Sequence, residues 1–346
     1  MPGIANRYFP FAAVAFTFQS MPADPFALGV FRRPGTHAAF TGLVREDQVL
    51  DISSLGKVND LLADWNTAFA QLSALAAQAP SDGWIALAGL DVRCPVTPAQ
   101  ILQCGANYRK HVVDIVMAER RAGISTTGHN SDVPEEEVRA WAEAMMDERA
   151  RTGTPYVFTG LPSALAGPYD EIVIPPTSAC PDWELELAAI IGQRARGLTR
   201  QNALDCVAGY TICNDITTRS LVYRRDLKAI GTDWFAAKNS PTFLPTGPYL
   251  VPAALVSDPS DLRITLKHNG VVRQDESTAD MLFDLPAILA YITSVTELWP
   301  GDLVLTGSPA GNGARWGLFL DEGDLIESEI TGLGTQRNRC VRKAGS

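Results

Sequence analysis

Three carboxylates in this chain have the spacing to hold a metal ion. Glu184 and Glu186 stand two apart in the otherwise apolar run Pro181-Asp182-Trp183-Glu184-Leu185-Glu186-Leu187-Ala188-Ala189-Ile190-Ile191-Gly192. In an extended strand, residues i and i+2 point to one face, so both carboxylates project together while Leu185, Leu187, Ala189 and Ile191 face the core. A second apolar run, Gly209-Tyr210-Thr211-Ile212-Cys213-Asn214, ends on Asp215. Like charges beside a buried strand repel and lose hydration, and a hard divalent cation such as Mg²⁺, Mn²⁺ or Ca²⁺ is the remedy that oxygen donors allow. The plain alternative is an edge strand whose glutamates face water. The third carboxylate at a neighbouring strand end favours the metal.

Two further groups have chemistry to offer. His111 and Asp114 are three apart after Ile101-Leu102-Gln103-Cys104-Gly105, a short strand ending in glycine. On a helix they share one face, where a carboxylate-oriented imidazole is a general base; a surface pair is the bland reading. Lys238 lies in the aromatic loop Asp233-Trp234-Phe235-Ala236-Ala237-Lys238. There a lysine either faces solvent or neutralises an enolate or carboxylate. The glycine-rich Gly307-Ser308-Pro309-Ala310-Gly311-Asn312-Gly313 offers free N–H groups to an anion but is not a nucleotide-binding loop.

The elements that must position these groups are mostly strands. Phe26 to Phe31, Ala38 to Arg45 and Val49 to Ile52 read as strands, Val58 to Gln78 as a helix, and Pro80 to Pro98 as a breaker-rich connection. Residues 1–95 are expected to form a small N-terminal domain without chemistry, in which His37 is structural or exposed, and 96–346 the catalytic domain. Residues 115–160 read as an insertion with a helix after Ser131 or Asp132 and an apolar stripe of Val138, Trp141, Ala142, Met145 and Met146. It is a lid, a dimer contact or plain packing. His129 there is not expected to be a ligand. Thr217 or Thr218 is expected to cap a helix running to Lys228. Leu262 to His268, the Asn269-Gly270 turn and Val271 to Gln274 read as a hairpin, Phe283 to Thr296 as a helix, and Gly301 to Thr306 and Asp321 to Ile330 as strands. The class is α+β, β-dominated, not a doubly wound sheet.

Composition bounds the partners. The 346 residues, 46% of them apolar, suit one large domain with an appendage or two domains. A net charge of −10 argues against nucleic acid. There is no run of 18 apolar residues to span a membrane, and the stretch Tyr8 to Phe18 reads as a lead-in or first strand, not an export signal. Six cysteines without metal or paired spacing point to a reducing, cytoplasmic setting.

Taken in order, Gly105-x-Asn107-Tyr108-x-x-His111, Glu184-x-Glu186, Gly209-Tyr210-x-x-x-Asn214-Asp215-x-Thr217-x-Arg219, Lys238 and Leu305-Thr306-Gly307-Ser308-Pro309-x-Gly311-x-Gly313 resemble the fumarylacetoacetate hydrolase superfamily over residues 100–335. The likeness is to its acylpyruvate hydrolase and 2-hydroxyhepta-2,4-diene-1,7-dioate isomerase types. The resemblance implies a mixed β-roll with Mg²⁺, Mn²⁺ or Ca²⁺ in its cleft and a homodimer. It implies Glu184, Glu186 and Asp215 as metal ligands, Lys238 as the cleft lysine, and Tyr108, Arg219 and Ser308 beside the substrate. Two departures stand out: Asp114 where smaller members carry glutamate, and the long insertion after the histidine.

The reaction expected from these parts is hydrolysis of a C–C bond in a 2,4-dioxo acid. His111, held by Asp114, draws a proton from water, hydroxide attacks the distal carbonyl, and an enolate leaves beside Lys238. Isomerisation, decarboxylation or dehydration of a 2-oxo acid would use the same groups. A silent ligand-binding relative is the reading from another class.

Overall fold

A computed structural model describes residues 25–78, 80, 82–121, 133–224, 226 and 231–342. The lead-in at Tyr8 to Phe18, His129 and Lys228 lie outside the described residues.

The N-terminal strands follow the hydrophobic pattern. β1 (Ala27–Arg32), β2 (Ala39–Arg45) and β3 (Gln48–Asp51) form antiparallel ladders, and Arg45 faces Gln48 across the Glu46–Asp47 turn. The helix expected over 58–78 is interrupted: α1 (Val58–Leu62) stops and α2 (Trp65–Gln78) restarts, with the Ala68 N–H donating to the Asp64 carbonyl. Leu61, Leu62, Leu72 and Ala76 still reach one core. The breaker-rich stretch before residue 98 holds two strands, β4 (Trp84–Ala86) on β3 and β5 (Asp91–Arg93) on β1. Three residues each is too short to show alternation.

The next strand is β6 (Ile101–Gly105), followed by helices α3 (Arg109–Arg121) and α4 (Glu135–Thr152) and strand β7 (Tyr156–Gly160), which pairs antiparallel with β6. Val113, Val116 and Met117 of α3 pack on Val138 and Ala142 of α4, so that stripe closes a small core of its own. Short strands β8 (Leu165–Ala166), β9 (Ile172–Ile174) and β10 (Pro181–Asp182) lead into β11 (Leu185–Ile191), β12 (Val207–Asn214) and β13 (Thr217–Thr218). The helix expected to run on to Lys228 is only α5 (Arg219–Val222), and α6 (Trp234–Lys238) follows. After them come β14 (Leu244–Pro252), β15 (Arg263–His268), β16 (Val271–Ser277), α7 (Leu285–Val295), β17 (Leu303–Leu305), α8 (Gly313–Trp316), β18 (Leu325–Ile330) and β19 (Gly334–Arg342).

The large sheet runs β4-β3-β2-β1-β14-β12-β11-β17-β6-β7, and a second runs β16-β15-β18-β19-β9. Most pairs are antiparallel; β17–β6, β14–β8 and β19–β9 are parallel. With its few helices on sheets of mixed direction, the protein is α+β and β-dominated. Both faces of the large sheet are covered at β11. Leu185, Leu187, Ala189 and Ile191 enter one core, while Ala188 and Ile190 enter another. The face carrying the two glutamates therefore continues into apolar packing, which is why this strand reads as a nearly unbroken apolar run.

The long strand β14 is central although it contains Pro245, Gly247, Pro248 and Pro252. Prolines donate nothing to a ladder. The Gln336 amide offers its N–H groups to the carbonyls of Ile212, Pro245 and Gly247 at 3.0–3.1 Å and supports the strand from β19. In the second sheet, Asn269 and Gly270 both have positive φ (51° and 78°), the turn that brings His268 opposite Val271.

Candidate metal centre and active site

The carboxylates meet because of strand register. Leu185 pairs with Asn214 and Glu186 with Cys213, so Asp215 leaves β12 beside Glu184. The Asp215 N–H donates to the Glu184 carbonyl at 2.8 Å, and the Glu184 N–H donates to Asn214 Oδ1 at 2.9 Å. One oxygen from each of Glu184, Glu186 and Asp215 lies within 4.8 Å of the other two, and all three residues are buried.

Lys238, at the end of α6, is buried against this group. Its Nζ donates to Glu184 Oε2 at 2.7 Å, to Thr217 Oγ1 at 2.7 Å, and to Asp215 Oδ2. The cap that starts α6, an Asp233 carboxylate accepting from the Ala236 N–H at 3.0 Å, fixes the turn that carries it. Arg219 divides its guanidinium between Asp182 Oδ2 (2.8 Å) and Glu184 Oε1 (2.6 Å). The glycine-rich loop uses an N–H on the protein's own carboxylate, with Gly307 donating to Glu186 Oε2 at 2.7 Å. Gly307 has φ near 95°, and a Cβ there would stand 2.9 Å from the Cys104 carbonyl oxygen, so glycine is required.

Electrostatics separate the three acids. Burial would raise Glu184, but Lys238 and Arg219 outweigh it and hold its carboxyl well below the usual range. Burial and the neighbouring Asp215 push Glu186 well up, while burial and Glu184 push Asp215 up. Burial lowers the Lys238 ammonium less than the surrounding carboxylates raise it. The cluster is short of positive charge. Asp215 Oδ1 is buried with no hydrogen-bond partner. An orphaned carboxylate oxygen, a set of three hard donors and unrelieved repulsion together fit a divalent cation held by Glu184, Glu186 and Asp215.

The centre opens into a cavity of about 450 Å³, also lined by His111, Arg219, Lys238 and Ser308. His111 Nε2 lies 3.8 Å from Glu184 Oε1. Burial draws its imidazole down to about 4 despite that carboxylate. Ser308 Oγ accepts from Gln274 Nε2 at 3.1 Å and Asn312 Nδ2 at 3.3 Å.

Two sequence expectations are corrected here. Asp114 does not hold His111. Its carboxylate pairs with Arg315 of α8 and lines a separate cavity with Arg139 and Glu276. Residues three apart on a helix point about 60° apart, and α3 uses that difference to divide the two between cavities. Tyr108 is not among the residues lining the candidate cavity; it is fully buried and bridged to Met281, and burial raises its phenol. Asp182, absent from the expected site, continues the same i, i+2 alternation as the two glutamates. It is fully buried, grips Arg219, and accepts from the backbone N–H groups of Gly313 (2.5 Å) and Ala314 (3.1 Å).

The description of the fumarylacetoacetate (FAA) hydrolase C-terminal domain matches residues 100–341. A human mitochondrial oxaloacetate tautomerase is 34% identical over 271 residues, which cover 78% of this chain and 74% of that protein. Matches to other mammalian oxaloacetate tautomerases, such as one from Bos taurus at 38% identity, cover 54% of this chain and 59% of theirs. A 2,4-didehydro-3-deoxy-L-rhamnonate hydrolase from Sphingomonas is 39% identical over 54% of this chain and 64% of its own. Among solved structures, maleylpyruvate hydrolase from Sphingobium, in complex with a manganese(II) ion and pyruvate, is similar with TM-score 0.68 and 26% identity, over 92% of this chain and all of that one.

Proposed function

The chain belongs to the fumarylacetoacetate hydrolase family, and from that premise we propose that it is a metal-dependent enzyme moving a proton at the carbon beside the keto group of a 2-oxo acid. The observation that carries this is the convergence of Glu184, Glu186 and Asp215 with Lys238 and His111 on one cavity. The three carboxylates would hold Mg²⁺ first, Mn²⁺ or Ca²⁺ otherwise. Such an ion, when bound, supplies Lewis acidity toward a carbonyl oxygen. Lys238 keeps Glu184 and Asp215 ionised and sets a positive charge where negative charge develops. His111, neutral at pH 7, takes or returns the proton. Arg219 is spent on Asp182 and Glu184, so its role is to orient Glu184; Ser308, whose hydroxyl donates to the Pro309 carbonyl at 3.2 Å, would touch the substrate from the cavity wall.

Keto–enol tautomerisation is the reaction this arrangement supports best, because it asks one group to pass a proton and needs no activated water. Water activation calls for a base strengthened by a carboxylate, and Asp114 is committed to Arg315. A second reading, hydrolysis of the C–C bond of a 2,4-dioxo acid, is supported by His111 lying near Glu184 and by the likeness to a maleylpyruvate hydrolase. The deciding experiment supplies Mg²⁺ and follows two signals: decay of the enol of a 2-oxo acid with a single carboxylate, such as phenylpyruvate, and loss of the dioxo absorbance of acetylpyruvate with pyruvate release. Accelerated ketonisation alone supports the tautomerase, pyruvate release the hydrolase, and neither signal overturns both.

We carry two further expectations as proposals: a homodimer, tested by light scattering, and a cytoplasmic setting. No helix among the described residues is long and apolar enough to cross a membrane.

A further inference from the structure

We infer that the substrate carries a planar apolar group, aryl or alkenyl, at the end away from its 2-oxo acid head, and no second carboxylate there. The inference rests on the function proposed above and adds the half of the substrate that the carboxylate centre does not reach.

The cavity has two apolar walls. In one, the rings of Phe158 and Trp234 stack with centroids 5.1 Å apart and planes 17° from parallel, and Tyr156 completes the group. The Nζ of Lys238 stands 5.5 Å from the Phe158 centroid and 5.6 Å from that of Trp234. The aromatic wall therefore begins at the carboxylate centre and extends away from it. The other wall comes from α3 and α4, with Ile115 and Met145 among its residues. Flat apolar surfaces of this kind reward a flat apolar guest.

Charge excludes the alternative. Among the described residues lining the cavity, only Arg219 and Lys238 are fixed cations, and both are engaged by carboxylates at the centre. Away from the centre the charged lining residue is Glu119, an anion hydrogen-bonded to Tyr223. A carboxylate at the far end of a substrate would lose hydration with no further cation among the described lining residues to receive it.

The test is calorimetric titration of the full chain in Mg²⁺ with three probes sharing one head: pyruvate, phenylpyruvate and 4-carboxyphenylpyruvate. Phenylpyruvate is expected to bind at least about tenfold more tightly than pyruvate, a modest return for a buried ring, and the added carboxylate to remove most of that gain. Trp234→Leu and Phe158→Leu should each reduce the phenylpyruvate-to-pyruvate ratio severalfold. Met145→Arg should recover binding of the carboxylated probe. Equal binding of pyruvate and phenylpyruvate, or preference for the carboxylated probe, overturns this inference alone. Failure of all three to bind overturns the proposed function and this inference with it. The wild-type ratios decide the matter even where a variant does not fold.

Discussion

Lys238 Nζ lies 2.7 Å from Glu184 Oε2, with both groups buried and Asp215 sharing the same ammonium. One fixed cation thus serves two carboxylates where water cannot. Replacing it by an apolar side chain of similar length leaves Asp215 without its cation and Glu184 with Arg219 alone, and the cost of breaking a buried pair is about 3–5 kcal/mol. Lys238→Met is therefore expected to lower the urea midpoint of the chelator-treated protein strongly. An unchanged midpoint would show that the cluster is relaxed by other means.

A divalent cation should repair much of that strain. At one hundred times its dissociation constant, a ligand binding only the folded state adds about 2.7 kcal/mol. Thermal denaturation with Mg²⁺ and with chelator should show the gain in wild type. Glu186→Gln, which removes a carboxyl that burial and Asp215 keep from ionising readily, should raise the midpoint in chelator and shrink the gain from Mg²⁺. Equal gains in both proteins would remove Glu186 from the donor set.

His111 gives the acid limb a definite sign. Burial lowers its folded value from 6.5 to about 4. Above pH 6.5 the imidazole is neutral, folded or unfolded, and adds no pH dependence. As pH falls from 6.5 toward 4 the unfolded chain binds a proton that the fold refuses, so stability is lost over that window, by about 3 kcal/mol in all. In metal-free protein, His111→Gln should flatten the slope of unfolding free energy between those limits. A slope identical to wild type would contradict the buried neutral imidazole.

Asp114 separates the two proposed reactions. Arg315 is 44% exposed on its side chain, so solvent screening leaves the pair about 1 kcal/mol or less. Asp114→Asn should change stability slightly and leave the rate of enol ketonisation within about twofold of wild type. A fall in kcat of about a hundredfold or more, in the range ascribed to general bases, would mean that the carboxylate supports His111 during turnover after all.

Much of the centre was legible because alternation along a strand is a local property. Glu184 and Glu186 announce a shared face, and Asp215 ends a neighbouring apolar run. The Asn269-Gly270 turn and α7 were equally plain from turn chemistry and three- to four-residue spacing. What escaped depends on distant partners. Proline and glycine in β14 read as breakers, and only the Gln336 amide from β19 explains why a central strand tolerates them. The commitment of Asp114 to Arg315, two hundred and one positions away, has no local signature. Tyr108 sits beside the histidine in sequence, yet the fold buries it fully.

The register pair Leu28–Leu250, where β1 meets β14, has a consequence for anyone trimming this chain to its C-terminal part. Cutting near residue 95 would strip β14 of a neighbour and leave main-chain donors and acceptors open along a hydrophobic edge. Such a fragment would offer other copies a template for strand addition, and its fate would be aggregation before any question of catalysis arose.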